Sequence, residues 1–213
     1  MVLLDEVKAK FMAYSDFTLE LVARSLGVST GEADLFAAVE PLMIPAWLLE
    51  MLGKGTKLAT NNEKSRSEFI VAPILLASRD LSPTPLAIFS GQRLDVDPGR
   101  GLVGECDFIL AASPPVPPLR APIAVIVEAK KNDIEGGLGQ CVAQMVAADL
   151  FNQAASHAGP IHGCVTTGEV WQFLRLEGTS AVIDRKRYYL DNLEGILAAI
   201  QMIIARSRDQ GIG

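Results

Sequence analysis

The feature that most constrains this chain is a short apolar run, residues 123–127, which follows Pro122 and leads straight into Glu128-Ala129-Lys130. A β-branched run of this length predicts a strand buried on both faces. Alternate side chains of a strand share a face, so Glu128 and Lys130 project to the same side. Burying either charge alone is costly, so the two need each other, a metal ion or a phosphate. The alternative is a solvated strand end.

The segments around this run predict an α/β fold in which helices cover a sheet. Helical spacing indicates an amphipathic helix at 61–79. A Pro-rich stretch at 113–120 cannot belong to a central strand and predicts a loop. The element order is helix, three strands, helix and strands, with further strands or strand pieces at 86–89, 92–95, 102–110, 163–167 and 170–176, and further helices at 138–155 and 188–204.

The first sixty residues predict a helical extension without chemistry of its own. A helical stripe runs over 3–26 and is closed by Gly27, a second helical piece covers 31–40, and 47–52 forms a short apolar turn. We therefore predict an N-terminal helical extension, 1–60, and an α/β domain, 61–213, which together form one compact unit.

Composition excludes several classes of protein. The chain has 213 residues, of which 49% are hydrophobic, enough for one well-filled core. No stretch reaches the roughly 18 apolar residues that a membrane span needs, and charges near the start argue against a signal peptide, so a cytoplasmic location is expected. The net charge of −6 argues against a wholly basic surface but allows a local basic groove. The three cysteines are predicted to be reduced core residues: Cys106, Cys141 and Cys164.

Asp107 lies in the apolar strand that precedes Glu128, with a Pro-rich turn between them. If the two strands pair in suitable register, Asp107 and Glu128 converge at one end of the sheet. Two carboxylates there suit Mg²⁺ or Mn²⁺, with Lys130 beside the cation. Such an arrangement fits phosphodiester hydrolysis, because a metal polarises the phosphate and activates water while the lysine orients that water or stabilises developing charge.

An acid on one strand and Glu128-Ala129-Lys130 at the end of the next resembles the PD-(D/E)xK signature of the restriction-endonuclease-like nuclease superfamily. The family core of helix, three strands, helix and strand matches the predicted order over just over half of the chain. The resemblance implies a metal-dependent nuclease acting on DNA. Cys106 stands where the family has proline, and no DNA-reading module is recognisable.

Two further site residues follow from the resemblance alone. The first core helix of the family often carries another acid, and either Glu63 or Glu68 matches it, with Glu68 preferred. Many members carry a glutamine on the helix after the E-x-K triplet, and Gln140 takes that position, with Gln144 one turn later. The implied catalytic set is Asp107, Glu128, Lys130, Glu68 and Gln140, with Asp107 and Glu128 as metal ligands.

Three hypotheses of different kinds follow. The first is a divalent-metal-dependent nuclease that hydrolyses phosphodiester bonds in DNA. The second is a non-catalytic interaction protein on the same fold, which includes a homodimer held by the N-terminal helices. The third is a metal-dependent hydrolase of a small phosphate compound, because a fold alone does not determine function.

Overall fold

The structure is a computed structural model that describes residues 12–36, 42–59 and 62–209. At its centre lies a mixed seven-stranded sheet. The strands are β1 Ser29–Ala33, β2 Ala87–Arg93, β3 Glu105–Ala111, β4 Ile123–Ala129, β5 Ile161–Thr166, β6 Val170–Glu177 and β7 Ser180–Tyr189. Their order across the sheet is β1-β7-β6-β5-β4-β3-β2. Two neighbouring pairs are parallel, β4 with β5 and β1 with β7, and the others are antiparallel.

Helices cover both faces of this sheet, and each face has its own apolar core. The α-helices are α1 Leu19–Leu21, continuing as a π-helical turn Val22–Leu26; α2 Ala46–Leu58; α3, composed of Glu63–Arg66, a π-helical turn Ser67–Val71 and Ala72–Asp80; α4 Ile134–Ala154; and α5 Leu193–Asp209. One core joins the sheet to α4 and to the segment around α1; the other joins it to α2, α3 and α5. This arrangement confirms the predicted α/β class.

Strand β4 is buried along its whole length, as its β-branched sequence predicts. Val125 and Val127 pack into the core on the α5 side, whereas Ile126 packs into the core on the α4 side. Helix α3 also begins where the sequence places it, because the side chain of Asn62 accepts a hydrogen bond from Ser65 N and caps the first turn. The three cysteines are buried and form no disulfide.

The N-terminal part differs from its prediction. Residues 29–33 form β1 rather than part of a helix over 31–40; residues 37–41 lie outside the described part. Residues 47–52 belong to the longer helix α2. Of the helix predicted over 3–26, residues 1–11 are outside the described part. A 3-10 turn at Tyr14–Asp16 is separate from α1, which starts after Thr18, whose hydroxyl accepts from Leu21 N. Gly27 ends it with a φ of 70°, as predicted.

Two differences arise at the edge of the sheet. Strand β7 was not predicted, and Tyr188 and Tyr189, placed at the start of the last helix by the sequence, complete this strand, so that α5 begins at Leu193. β1 pairs with β7, which means that the sheet crosses the predicted boundary at residue 60. Within the described residues we found no helix of the length and apolar character that a membrane crossing requires.

Glycines allow α4 to approach its neighbours, and a pair of substitutions tests this packing. A Cβ at Gly139 would collide with the backbone of Phe17 and Thr18, whereas a Cβ at Gly53 in α2 meets nothing within 4 Å. We expect Gly139→Ala to destabilise the protein by about 2–3 kcal/mol through overpacking. Gly53→Ala should stabilise it by about 0.5–1 kcal/mol through helix propensity. Urea unfolding measures both, and equal effects would contradict the packing argument.

Candidate active site at the end of β3 and β4

The register of β3 and β4 brings the predicted acids together. Phe108 pairs with Val127, so the next residues along the two antiparallel strands are Asp107 and Glu128. Asp107 Oδ2 accepts a hydrogen bond from the backbone N–H of Ala129 at 2.7 Å. The side chain of Asp107 is therefore fixed beside the end of β4, where the sequence analysis expected it.

Glu128 is 3% exposed, and both of its carboxylate oxygens have a partner. Oε1 lies 2.8 Å from Lys130 Nζ, and Oε2 accepts a hydrogen bond from Gln144 Nε2 at 2.9 Å. Glu128 and Lys130, predicted to project to the same side of the strand end, form a direct ion pair. Gln144 of α4, for which the sequence indicated no role, has this buried carboxylate as its hydrogen-bond partner.

Lys130 is held from two directions. Its Nζ donates to Glu128 and also to Gln140 Oε1, which lies 2.9 Å away on α4. Helix α4 comes this close because Gly137 has no side chain; a Cβ there would lie 2.6 Å from Val165 Cγ1 and 3.1 Å from Lys130 Cγ. An ammonium group has three N–H donors, so one remains for a ligand after these two hydrogen bonds.

The pKa of Glu128 is raised to about 7, and burial is the largest cause. The charge of Asp107 also raises this pKa, while the charge and hydrogen bond of Lys130 and the hydrogen bond from Gln144 lower it. The two carboxylates are close enough for each to disfavour ionisation of the other. The site therefore holds more negative charge than its single ammonium group neutralises.

Asp107 and Lys130 are shifted by the same surroundings. Burial raises the pKa of Asp107, the Ala129 N–H lowers it, and the charge of Glu63 raises it again, with a net increase. Burial alone would lower the pKa of Lys130, but the charge and hydrogen bond of Glu128, together with Glu63 and Asp107, raise it overall. Lys130 is consequently a cation at neutral pH.

Of the two acids on α3, Glu63 rather than Glu68 influences the site. The charge of Glu63 acts on both Asp107 and Lys130. Glu68 lies 3.9 Å from Lys64, an i, i+4 neighbour, and lines an apolar groove between α2 and α3. The preference for Glu68 has no support in the geometry. The sequence could have indicated this, because Lys64 and Glu68 have the i, i+4 spacing of an ion pair on a helix surface.

Asp107 and Glu128 are the carboxylates that could hold a divalent cation at this site. Burial is the largest cause of their raised pKa values and nearby carboxylates add to it, so a dication here would favour the ionised form of both groups. Within the described ranges, no three His, Cys, Asp or Glu side chains form a group that could hold a metal ion. A cation would thus have two protein carboxylates as ligands, an arrangement that Mg²⁺ completes with water and substrate phosphate.

Two further features lie near this set. Gly136, Gly137 and Gly139 lie inside α4, which begins at Ile134. Arg187 of β7 donates from Nε to Gln172 Oε1 at 2.8 Å and forms an ion pair with Glu135 in the first turn of α4. Arg187 therefore ties the start of this helix to the sheet.

Comparison of the chain with protein-family models and with curated proteins gave no match.

Proposed function

We propose that this protein is a divalent-metal-dependent nuclease with a restriction-endonuclease-like core, which hydrolyses phosphodiester bonds in DNA. The observation that carries the proposal is the pairing of two carboxylates, the half-buried Asp107 on β3 and the buried Glu128 on β4, beside the cationic Lys130. Ionisable groups with shifted pKa values that meet in this way are typical of catalytic sites.

Asp107 and Glu128 are the residues that would hold Mg²⁺ or Mn²⁺. When bound, such an ion polarises a phosphate oxygen and lowers the pKa of its water ligand. Hydrogen bonds fix both carboxylates in place: the Ala129 N–H donates to Asp107, and Gln144 donates to Glu128. Both carboxylates are therefore oriented before a ligand arrives, which reduces the cost of ordering them in the reaction.

Lys130 acts as a hydrogen-bond donor and a fixed positive charge. Because its pKa is raised, it stays protonated at neutral pH and does not accept the proton of the attacking water. Two of its N–H groups point at Glu128 and Gln140, which leaves the third for a phosphate oxygen that gains charge as the P–O bond breaks. Gln140 is accordingly a positioning residue for Lys130.

The test is cleavage of plasmid DNA with Mg²⁺ or Mn²⁺ by the wild type and by site variants. Asp107→Asn and Lys130→Ala should each lower the rate about 10²-fold or more, because each removes charge that the transition state needs. Lys131→Ala is the matched control, since Lys131 is exposed and adjacent, and it should cleave at nearly the wild-type rate.

A second matched pair separates the two acids of α3. Glu63→Gln should change the cleavage rate, because the charge of Glu63 acts on Asp107 and Lys130, whereas Glu68→Gln should not. Undiminished cleavage by both Asp107→Asn and Lys130→Ala would reject the proposed nuclease. Activity that persists in EDTA would reject its metal dependence.

A further inference from the structure

A second cavity lies on the opposite face of the sheet from the Asp107–Glu128 site. It has a volume of about 360 Å³, and His162 of β5 lies in its wall. On β5, Cys164 packs into the core on the α5 side, while Val165 packs into the core on the α4 side. His162 shares a face with Cys164 and so points toward α5. Glu128, by contrast, contacts α4 through Gln144.

The floor of this cavity is a row of directly paired residues. His162 of β5 pairs with Arg175 of β6, and Arg175 pairs with Val182 of β7. Cross-strand partners project to the same face, so the imidazole and the guanidinium are neighbours. Arg206 of α5 forms part of the wall. Two cationic side chains and one imidazole therefore line the same cavity.

Several polar atoms in the cavity have no hydrogen-bond partner. His162 is 1% exposed, and neither of its ring nitrogens is hydrogen-bonded to any residue that the structure describes. The same holds for Arg175 Nε. Native proteins satisfy nearly all buried polar groups, so each such group needs an explanation. The cavity offers one, because His162 and Arg175 both line it and a ligand seated against these side chains could supply the missing partners.

The charges around His162 favour an anion. Burial, followed by the charges of Arg206 and Arg175, lowers the pKa of His162 to about 4. Glu177 is exposed and lies 3.7 Å from Arg175 Nη2, which leaves Nε unused. Asp34 is exposed and also lines the cavity. The charges that act on His162 are nonetheless those of Arg206 and Arg175, both positive, so the surroundings of the imidazole favour an anion whose oxygens accept hydrogen bonds.

We propose that this cavity binds the phosphate group of a small organic phosphate, at a site separate from the proposed nuclease centre. Arginine forms strong charge-assisted hydrogen bonds with phosphate, and Arg175 and Arg206 supply two such groups. A neutral imidazole adds one N–H donor from His162. The cavity volume lies in the range of small-molecule sites, which leaves space for an organic part beyond the phosphate.

The test uses the small number of histidines. The chain contains two, His157 and His162, so ring-nitrogen NMR gives one reporter in the cavity and one that does not line it. Titration with inorganic phosphate and with glycerol 3-phosphate should shift the His162 signals saturably. Binding should also raise the pKa of His162 by about one unit, which corresponds to about tenfold preference of the phosphate for the protonated ring.

Variants and a second anion make the outcome decisive. Arg206 is exposed on α5, so Arg206→Gln should fold, and it should weaken phosphate binding about tenfold or more. Arg79→Gln, which alters an exposed arginine outside the cavity, should bind like the wild type. An unchanged His162 signal, or equal binding by Arg206→Gln, would overturn the proposal. Binding of acetate as tight as that of phosphate would overturn the assignment to phosphate. Binding of inorganic phosphate without binding of glycerol 3-phosphate would overturn the proposal that the ligand is an organic phosphate.

Discussion

Glu128→Gln is expected to raise the free energy of unfolding at pH 8 by about 2 kcal/mol and to lower DNA cleavage by about 10³-fold. The stabilisation follows from the pKa of Glu128, which is raised from 4.5 to about 7, with burial as the largest cause. At about 1.4 kcal/mol per unit, ionising this carboxyl in the folded protein costs about 3 kcal/mol. Part of this gain is lost because Lys130 loses its ion-pair partner, although Gln140 still accepts its hydrogen bond.

The loss of cleavage follows from the role proposed for the same carboxylate. A metal ligand contributes several kcal/mol to transition-state stabilisation, and each 1.36 kcal/mol changes the rate about tenfold. With the proposed role, Glu128 would exemplify a general trade-off between stability and activity.

Urea unfolding in EDTA at pH 8 measures the stability change, and plasmid cleavage measures the activity. Glu68→Gln is the matched control: its side chain is exposed, so stability should change by less than about 0.5 kcal/mol. If Glu128→Gln lost stability instead, the cost assigned to the buried carboxylate would be wrong. If it cleaved DNA at the wild-type rate, Glu128 would have no part in the proposed reaction.

The sequence was sufficient to locate β3 and β4 because both are apolar strands in which an acid stands out. Their antiparallel register, which places Asp107 beside Glu128, depends on tertiary structure and could only be stated as a condition. Strands β1 and β7 were missed for a different reason. β1 is a mostly exposed edge strand, and β7 is rich in charged residues, so neither carries a strong apolar period.

The choice between Glu63 and Glu68 shows what helical spacing can contribute. Ideal spacing puts Glu63 on the same face as Ile70, seven residues later, and Glu68 on nearly the opposite face. Ile70 is buried, so helical spacing indicates Glu63 as the acid that faces the sheet, in contrast to the preference for Glu68 that the resemblance suggested. The hydrogen bond from Ala129 N to Asp107 has no such signal, because a backbone group of any sequence can donate it.

His162 and Glu128 should make stability depend on pH in opposite directions. The pKa of His162 is lowered from 6.5 to about 4, so between these values the unfolded chain binds the proton and the folded protein does not. Its contribution to stability therefore rises with pH. For Glu128 the folded protein holds the proton between pH 4.5 and about 7, so its contribution falls as pH rises. Each change amounts to about 3 kcal/mol over its window.

Because the windows overlap between pH 4.5 and 6.5, the two effects nearly cancel in the wild type, and single variants should reveal each of them. Relative to the wild type, Glu128→Gln should gain stability as pH rises, and His162→Gln should lose it. Urea unfolding in EDTA at a series of pH values gives these differences, and a constant cost of either substitution does not alter their slopes. Parallel curves for a variant and the wild type would show that the substituted group titrates alike in the folded and unfolded chain, which would contradict the burial that separates both groups from water.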